Sequence, residues 1–109
     1  PSPYINQNLI EHKTTLKNKV IFSGSKGVIP ESHLVISEHL NRHFDISYNN
    51  LGILSGPTHA EEIANDKLSY LTIGSTNKEI CYLLSDKLSS SYIRTSISDD
   101  IIGIEYAAA

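Results

Sequence analysis

Residues 20–27 read VIFSGSKG and residues 51–62 read LGILSGPTHAEE. Each stretch is a short apolar run that ends in small residues and leads into a helical pattern, which predicts two strands that each feed a helix. In an open parallel sheet, ligands bind outside the carboxyl ends of the strands. The first junction offers Lys26 at that end, and the second offers a glycine turn at Gly56 and a helix N-terminus. A mobile cation and a helix N-terminus together suit a phosphate group.

The remaining residues alternate between helical and extended patterns. Apolar spacing predicts an amphipathic helix over residues 4–18, and Pro30 at a first helical position predicts a second helix over residues 30–44. The predicted strands cover residues 20–23, 51–54, 68–74 and 92–97. Strands that alternate with helices in this way indicate an α/β fold with a mostly parallel sheet flanked by helices.

Capping patterns set the expected starts of the later helices. Thr58 and Thr76 each precede a glutamate by three residues, as in a capping box, and Ser98 or Asp99 is expected to cap the last helix. The connection that contains residues 58–65 is short for a full parallel crossover, so the sheet has room for one antiparallel strand.

Composition excludes several classes of partner. The chain has 109 residues, enough for one small domain, with 12 acidic and 9 basic side chains and a net charge of -3. It has no basic stripe, which argues against nucleic acid as a partner, and its apolar runs are too short to span a bilayer. The single cysteine, Cys81, argues against a disulfide scaffold and fits a reducing cytoplasm.

Three motifs in register resemble the NAD(P)-dependent glycerol-3-phosphate dehydrogenase family. They are SKG at residues 25–27, GPTHAEE at 56–62 and SDDIIGIE at 98–105, and the resemblance covers essentially the whole chain. The family interconverts sn-glycerol 3-phosphate and dihydroxyacetone phosphate with NAD or NADP, by hydride transfer at C2, and links glycolysis to phospholipid precursors. The resemblance therefore implies an oxidoreductase that acts on a small molecule in the cytoplasm, with no membrane partner.

The same resemblance implies how the chain is organised. Residues 1–98 are expected to be the second half of a Rossmann-like NAD(P)-binding domain, and residues 99–109 the start of a helix that links to an all-helical substrate domain. No GxGxxG motif occurs, so the dinucleotide fingerprint is expected upstream. A catalytic lysine is expected just after Ala109. The chain alone is therefore expected to be inactive, with no catalytic residue of its own.

The resemblance also assigns binding roles to five residues. Lys26, Gly56 and Thr58 are expected to bind the substrate, and Lys26, Ala60 and Tyr4 are expected to lie on the cofactor side. Without the resemblance, Lys26 would be read as a surface lysine, Thr58 as a helix cap, and Tyr4 and Ala60 as packing residues. The preference between NAD and NADP stays open, as does the oligomeric state, for which a homodimer is one possibility.

Several histidines, acids and the cysteine receive ordinary structural interpretations. His59 is expected to pack beside the substrate loop rather than act as an acid. His39 and His43 are four residues apart on what is expected to be a polar face of the helix, and no third ligand is placed by the sequence, so no metal site is expected. Cys81 is expected to be a buried small hydrophobe. The acid pairs at residues 61–62 and 99–100 fit helix starts and the helix dipole.

Two other functions are compatible with the α/β pattern. One is another two-domain dehydrogenase of the same superfamily that acts on a different small hydroxy acid, although the GPTHAEE run counts against it. The other is a non-catalytic α/β binding or dimerisation module.

Overall fold

The structure is a computed structural model that describes residues 4–56, 64–65 and 67–108. A central sheet lies at the middle of this part of the chain. The strands are β1 (Ile21–Ser23), β2 (Val28–Ile29), β3 (Leu34–Val35), β4 (Leu51–Ser55), β5 (Ser69–Gly74) and β6 (Ile93–Ser98). Four of them form one sheet in the order β1-β4-β5-β6, and β2 pairs with β3 in a separate antiparallel ladder.

The directions of the strands confirm the predicted mostly parallel sheet with one antiparallel pair. β1 runs parallel to β4, with Ile21 opposite Leu51, and β5 runs parallel to β6. β4 and β5 are antiparallel, with Ile53 opposite Gly74. The connection over residues 56–68 lies at the lower limit for a parallel crossover, and the chain returns antiparallel instead.

Five helices and two short 3₁₀ turns surround the sheet in the described residues. The helices are α1 (Ile5–Leu9), α2 (Lys13–Leu16), α3 (Ile36–His43), α4 (Lys78–Leu88) and α5 (Ile101–Ala108), and the 3₁₀ turns are Ile10–His12 and Tyr48–Asn50. The predicted first helix is therefore present but interrupted by a 3₁₀ turn. Among the described residues, no helix is long and apolar enough to cross a membrane.

The predicted start of α3 at Pro30 was wrong. Residues 28–35 form the β2–β3 hairpin, and α3 begins only at Ile36. The turn between the two strands is closed by the His33 N–H, which donates to the Ile29 carbonyl at 2.8 Å, and His33 adopts a left-handed φ of 59°. Pro30 lies in this turn, where its fixed φ is as well suited as at a helix start.

The capping residues of the last two helices were also predicted wrongly. The Asn77 side chain accepts the Glu79 N–H at 3.1 Å, whereas the Thr76 hydroxyl donates to the Tyr48 carbonyl. Asp100, rather than Ser98 or Asp99, accepts the Gly103 N–H at 3.0 Å. In each case the cap lies one or two residues later than the pattern indicated, and the hydroxyls of Thr76 and Ser98 make other hydrogen bonds.

The main core lies between β4 and the helices α3 and α5. Its buried members are Ile29, Ile36, Leu40, Phe44, Ile46, Leu51, Ile53 and Ile101. The opposite face of the sheet is covered by α4, because Phe22 of β1 shares a groove with Ile80 and Leu83 of that helix. Cys81 on α4 is fully buried, as predicted.

Candidate functional site

The carboxyl ends of β1 and β4 lie side by side. β1 ends at Ser23, opposite Ile53, and β4 continues to Ser55. The loop that carries Lys26 follows β1, and Gly56 follows β4. Because the two strands are parallel, both predicted substrate residues emerge at the same end of the sheet, which is the end where α/β domains bind ligands.

A small cavity joins this end of the sheet to α5. It has a volume of about 10 Å³, room for a single water molecule. Its lining residues come from the Lys26 loop, the end of β4 and the middle of α5, and they are Ser25, Lys26, Gly27, Ile53, Leu54, Ser55, Ile104 and Glu105. The first and third motifs of the sequence therefore meet here, and Gly56 of the second motif directly follows Ser55.

Lys26 is an exposed cation on a loop with defined backbone geometry. Gly27 after it has a φ of 95°, a conformation that glycine adopts readily and other residues do not. No ion pair joins Lys26 to a residue that the structure describes. An exposed ammonium without a carboxylate partner is available to an anionic ligand.

Gly56 is required by the close approach of β5. A Cβ atom placed on Gly56 would lie 2.4 Å from the backbone carbonyl oxygen of Tyr70. This distance is far inside van der Waals contact, so the glycine has a structural cause whether or not it also contacts substrate.

Tyr4 is exposed and directly precedes α1, whose residues line a groove at the end of β1. The groove has a volume of about 310 Å³ and is formed by α1, by Ser23, Gly24 and Ser25, and by Ile36 and Leu40 of α3. This volume is at the lower end of the range for small-molecule sites, about 300–1,000 Å³. Tyr4 is 57% exposed, so its ring is accessible to a ligand in or beside this groove.

The second half of the second motif lies outside the described residues. This part includes the predicted substrate residue Thr58, the predicted cofactor residue Ala60, His59 and the acid pair at residues 61–62. Their roles stay predictions.

A buried contact between Ser37 and Glu105 was not predicted. Glu105 is 8% exposed, and both of its carboxylate oxygens lie 3.2 Å from the Ser37 backbone nitrogen. The Ser37 hydroxyl donates to Oε2 at 2.5 Å. Burial raises the pKa of Glu105, the hydrogen bonds from Ser37 oppose this, and the nearby Glu38 adds to it. A single acidic residue within the apolar run IIGIEYAAA was the signal that could have revealed it.

His39 is buried, and its predicted place on a polar face was wrong. It is 3% exposed; Nδ1 lies 2.8 Å from the Ser32 hydroxyl and Nε2 lies 2.9 Å from Asn6 Oδ1. Burial lowers the pKa of His39, His43 lowers it further, and Glu31 opposes the shift. His39 therefore joins α1 and the β2–β3 turn to α3, and both of its ring nitrogens are used.

No metal-binding cluster is found in the part of the chain that the structure describes. Within residues 4–56, 64–65 and 67–108, no group of three histidine, cysteine, aspartate or glutamate side chains could hold a metal ion. His43 packs against His39 with ring centroids 5.0 Å apart.

A helix-flanked, mostly parallel sheet, with a lysine loop and a glycine turn at the same strand ends, places the described residues in the Rossmann-like class of α/β folds. A family model described as the NAD-dependent glycerol-3-phosphate dehydrogenase N-terminus matches residues 1–81. The chain belongs to this family.

Relatives agree with this assignment, and a solved structure shares the fold. A glycerol-3-phosphate dehydrogenase (NAD(P)+) of Oceanobacillus iheyensis is 37% identical over 100 residues, which are 92% of this chain and 28% of that protein. One of Macrococcus caseolyticus is 35% identical over 94 residues, which are 85% of this chain and 28% of that protein. The crystal structure of glycerol-3-phosphate dehydrogenase from Coxiella burnetii superposes with a TM-score of 0.85 at 23% identity, over 99% of this chain and 33% of that one. The chain thus spans 28–33% of the length of these three proteins.

Proposed function

We propose that this chain is the segment of an NAD(P)-dependent sn-glycerol-3-phosphate dehydrogenase that supplies part of the substrate and nicotinamide site. The reaction interconverts sn-glycerol 3-phosphate and dihydroxyacetone phosphate. The observation that carries this proposal is the meeting of Lys26 with the end of β4 and with α5 at one end of the sheet. Family membership favours this substrate over that of another small hydroxy-acid dehydrogenase.

Lys26 is the residue for which we propose a direct role in the reaction. Its ammonium group holds the anionic substrate and stabilises negative charge on the C2 oxygen when the carbonyl is reduced or formed. A preorganised cation at a developing oxyanion contributes roughly 3 kcal/mol to transition-state stabilisation. The absence of an ion pair to any described residue supports this role, because a carboxylate partner would compete with the substrate.

The second motif supplies the other proposed substrate contacts. Gly56 follows β4 at the same end of the sheet as Lys26, and the residues after it begin with the proline and threonine expected of a helix N-terminus. Free amides at a helix N-terminus bind oxygen atoms of phosphate groups. We therefore assign Gly56 and Thr58 to the glycerol phosphate side.

The residues present fit the nicotinamide end of NAD or NADP. The groove at the end of β1 is walled mainly by apolar side chains, which suits a flat ring. Tyr4 directly precedes α1, which lines this groove. NAD(P), when bound, supplies the hydride chemistry. Lys26, Ala60 and Tyr4 would hold this end. Because the sequence has no GxGxxG motif, the diphosphate would be held by residues outside this chain.

The organisation of the chain is proposed on the same basis. β6 ends at Ser98 and α5 begins at Ile101, which supports a nucleotide-domain segment over residues 1–98 and a linking helix from residue 99. We place the proton-transferring lysine in the segment that follows α5. We place the protein in the cytoplasm, where the buried free thiol of Cys81 would stay reduced.

A chimera tests the proposed function. Residues 1–109 replace the matching segment of the Oceanobacillus iheyensis relative, and folding is checked by circular dichroism and thermal melting. We expect NADH oxidation with dihydroxyacetone phosphate and much slower oxidation with pyruvate or hydroxypyruvate. A folded chimera that prefers a keto acid would indicate a different hydroxy-acid dehydrogenase, and one that turns over neither would favour the non-catalytic module.

A further inference from the structure

The first turn of α3 lacks a cap from its own sequence. Val35 is the residue before the helix, and its side chain accepts no hydrogen bond. The backbone N–H groups at a helix start need an acceptor, and a buried one left without an acceptor is costly. In this chain the acceptor for the Ser37 N–H is the Glu105 carboxylate, which comes from α5, far along the sequence.

The contact ties together the two elements that approach the proposed site. The Lys26 loop leads through the β2–β3 hairpin directly into α3. On the other side, α5 begins beyond the end of β6 and passes over β4, because the Ile104 side chain lies near Ile53 and Gly74. The middle of α5 lines the same cavity as Lys26. There Glu105 makes a polar contact with α3.

A hydrogen-bond acceptor of this length at a buried position needs a physical reason. Glu105 is buried beside Ile101 and Ile104, where an apolar side chain would pack without the cost of burying a charge. Two donors of a single residue, the Ser37 N–H shared by both oxygens and the Ser37 hydroxyl, fix the carboxylate, and through it the rotation and axial position of α5. A packing contact between two helices would allow both to vary more freely.

We infer that Glu105 is a positioning residue of the proposed dehydrogenase. It determines the position, relative to Lys26, of the segment that follows α5. The inference rests on the proposed function. Glu105 acts through Ser37 and α5 and does not exchange a proton with the substrate.

Variants of the chimera separate this role from a merely structural one. Glu105→Asp shortens the side chain, so α5 must move to keep the contact with Ser37; kcat should fall about tenfold or more, since small misplacements of reacting groups have large effects on rate. The KM for NADH should stay within about twofold. Glu105→Gln keeps the length and an acceptor oxygen, so kcat should remain within about threefold with an unchanged pH profile. Glu79→Gln, at an exposed glutamate on α4, is the matched control and should change neither quantity.

Two further readouts complete the test. Ser37→Ala removes the hydroxyl and should lower kcat less than Glu105→Asp does, with no additional loss when the two are combined, because both act through the same contact. If Glu105→Asp lowers the melting temperature but leaves kcat unchanged at a temperature well below melting, Glu105 has only a stabilising role and the inference is overturned. If Glu105→Asp does not fold, an unchanged kcat in Ser37→Ala overturns it instead.

The pH profile and the parent chimera decide between the remaining outcomes. A shifted limb in the kcat profile of Glu105→Gln would mean that Glu105 titrates in the reaction, which contradicts a positioning role. A folded parent chimera without activity would refute the proposed function itself, and the inference with it. An active parent with an unaffected Glu105→Asp variant refutes the inference alone.

Discussion

Gly56→Ala tests the packing at the carboxyl end of β4. The new methyl carbon would lie 2.4 Å from the Tyr70 carbonyl oxygen, whereas close carbon–oxygen contacts in proteins begin at about 3.3 Å. The two backbones must therefore separate by about 0.9 Å. Tyr70 belongs to β5, which is held by β4 on one side and β6 on the other, so this movement disturbs the sheet. Overpacking of this kind costs roughly 1–3 kcal/mol.

Gly24→Ala is the matched control for this substitution. Gly24 lies at the same end of the sheet, and nothing is within 4 Å of a Cβ atom placed on it. Neither glycine has a left-handed φ, so a methyl group meets no backbone strain at either site. Gly24→Ala should be neutral or stabilising by up to about 1 kcal/mol, through the unfolded chain.

Urea unfolding of the two variants gives the measurement. With an m-value of about 1–3 kcal/mol/M, the Gly56→Ala midpoint should fall by roughly 1 M relative to Gly24→Ala, with unchanged m. In the chimera, Gly56→Ala should also raise the KM for dihydroxyacetone phosphate. Equal midpoints for the two variants would refute the close approach of β5 to Gly56.

The 109-residue chain alone should show no turnover with NADH and dihydroxyacetone phosphate, and any rate above buffer would contradict the proposed division of the site. In the chimera, Lys26→Ala should lower kcat/KM by an amount that corresponds to a loss of roughly 3 kcal/mol of transition-state stabilisation, and the melting temperature should not change. Near-parental kinetics would mean that Lys26 is a surface residue without a role in the reaction. Thr58→Ala should lose about 1 kcal/mol of stability and raise the substrate KM, with little effect from Thr58→Ser; a change in stability alone would leave Thr58 only a cap. His39 has a lowered pKa, so the stability it confers is present above the ordinary histidine pKa of about 6.5 and is lost as pH falls through its folded pKa. In urea unfolding, the free energy of unfolding should be lower at pH 5.5 than at pH 8 for the parent chain and for His12→Gln, a control at an exposed histidine. The difference between the two pH values should be smaller for His39→Gln.

The strands and their alternation with helices followed from local patterns. The apolar runs that end at Ser23 and Ser55 are strands in the structure, and the short connection after Gly56 correctly indicated an antiparallel pair. These features depend on residues that are close in sequence, where hydrophobic period and turn chemistry are informative.

The features that were missed depend on distant or competing partners. Pro30 suits a turn as well as a helix start. The hairpin turn that contains Pro30 is closed by His33 in a left-handed conformation, and the sequence pattern does not reveal this conformation. His39 belongs to the same apolar stripe as Ile36 and Leu40, because a helix face repeats at three as well as four residues. For the proposed site, the sequence correctly predicted that Lys26 and Gly56 follow two strands at the same end of the sheet.

The contact between Ser37 and Glu105 joins positions that are 68 residues apart. No local pattern carries this information, so the lone acid in α5 could be noticed from the sequence but its partner could not.

The reversal between β4 and β5 also determines how the sheet is shielded from water. Connections between parallel strands are almost always right-handed, and both parallel pairs, β1–β4 and β5–β6, step in the same direction across the sheet. If all four strands pointed one way, the two crossover helices would lie on the same face and leave the other bare. Because the second pair is inverted, its crossover α4 lies on the opposite face, over Phe22 and Ile73. Within the described residues, the two crossovers thus cover both faces of the sheet.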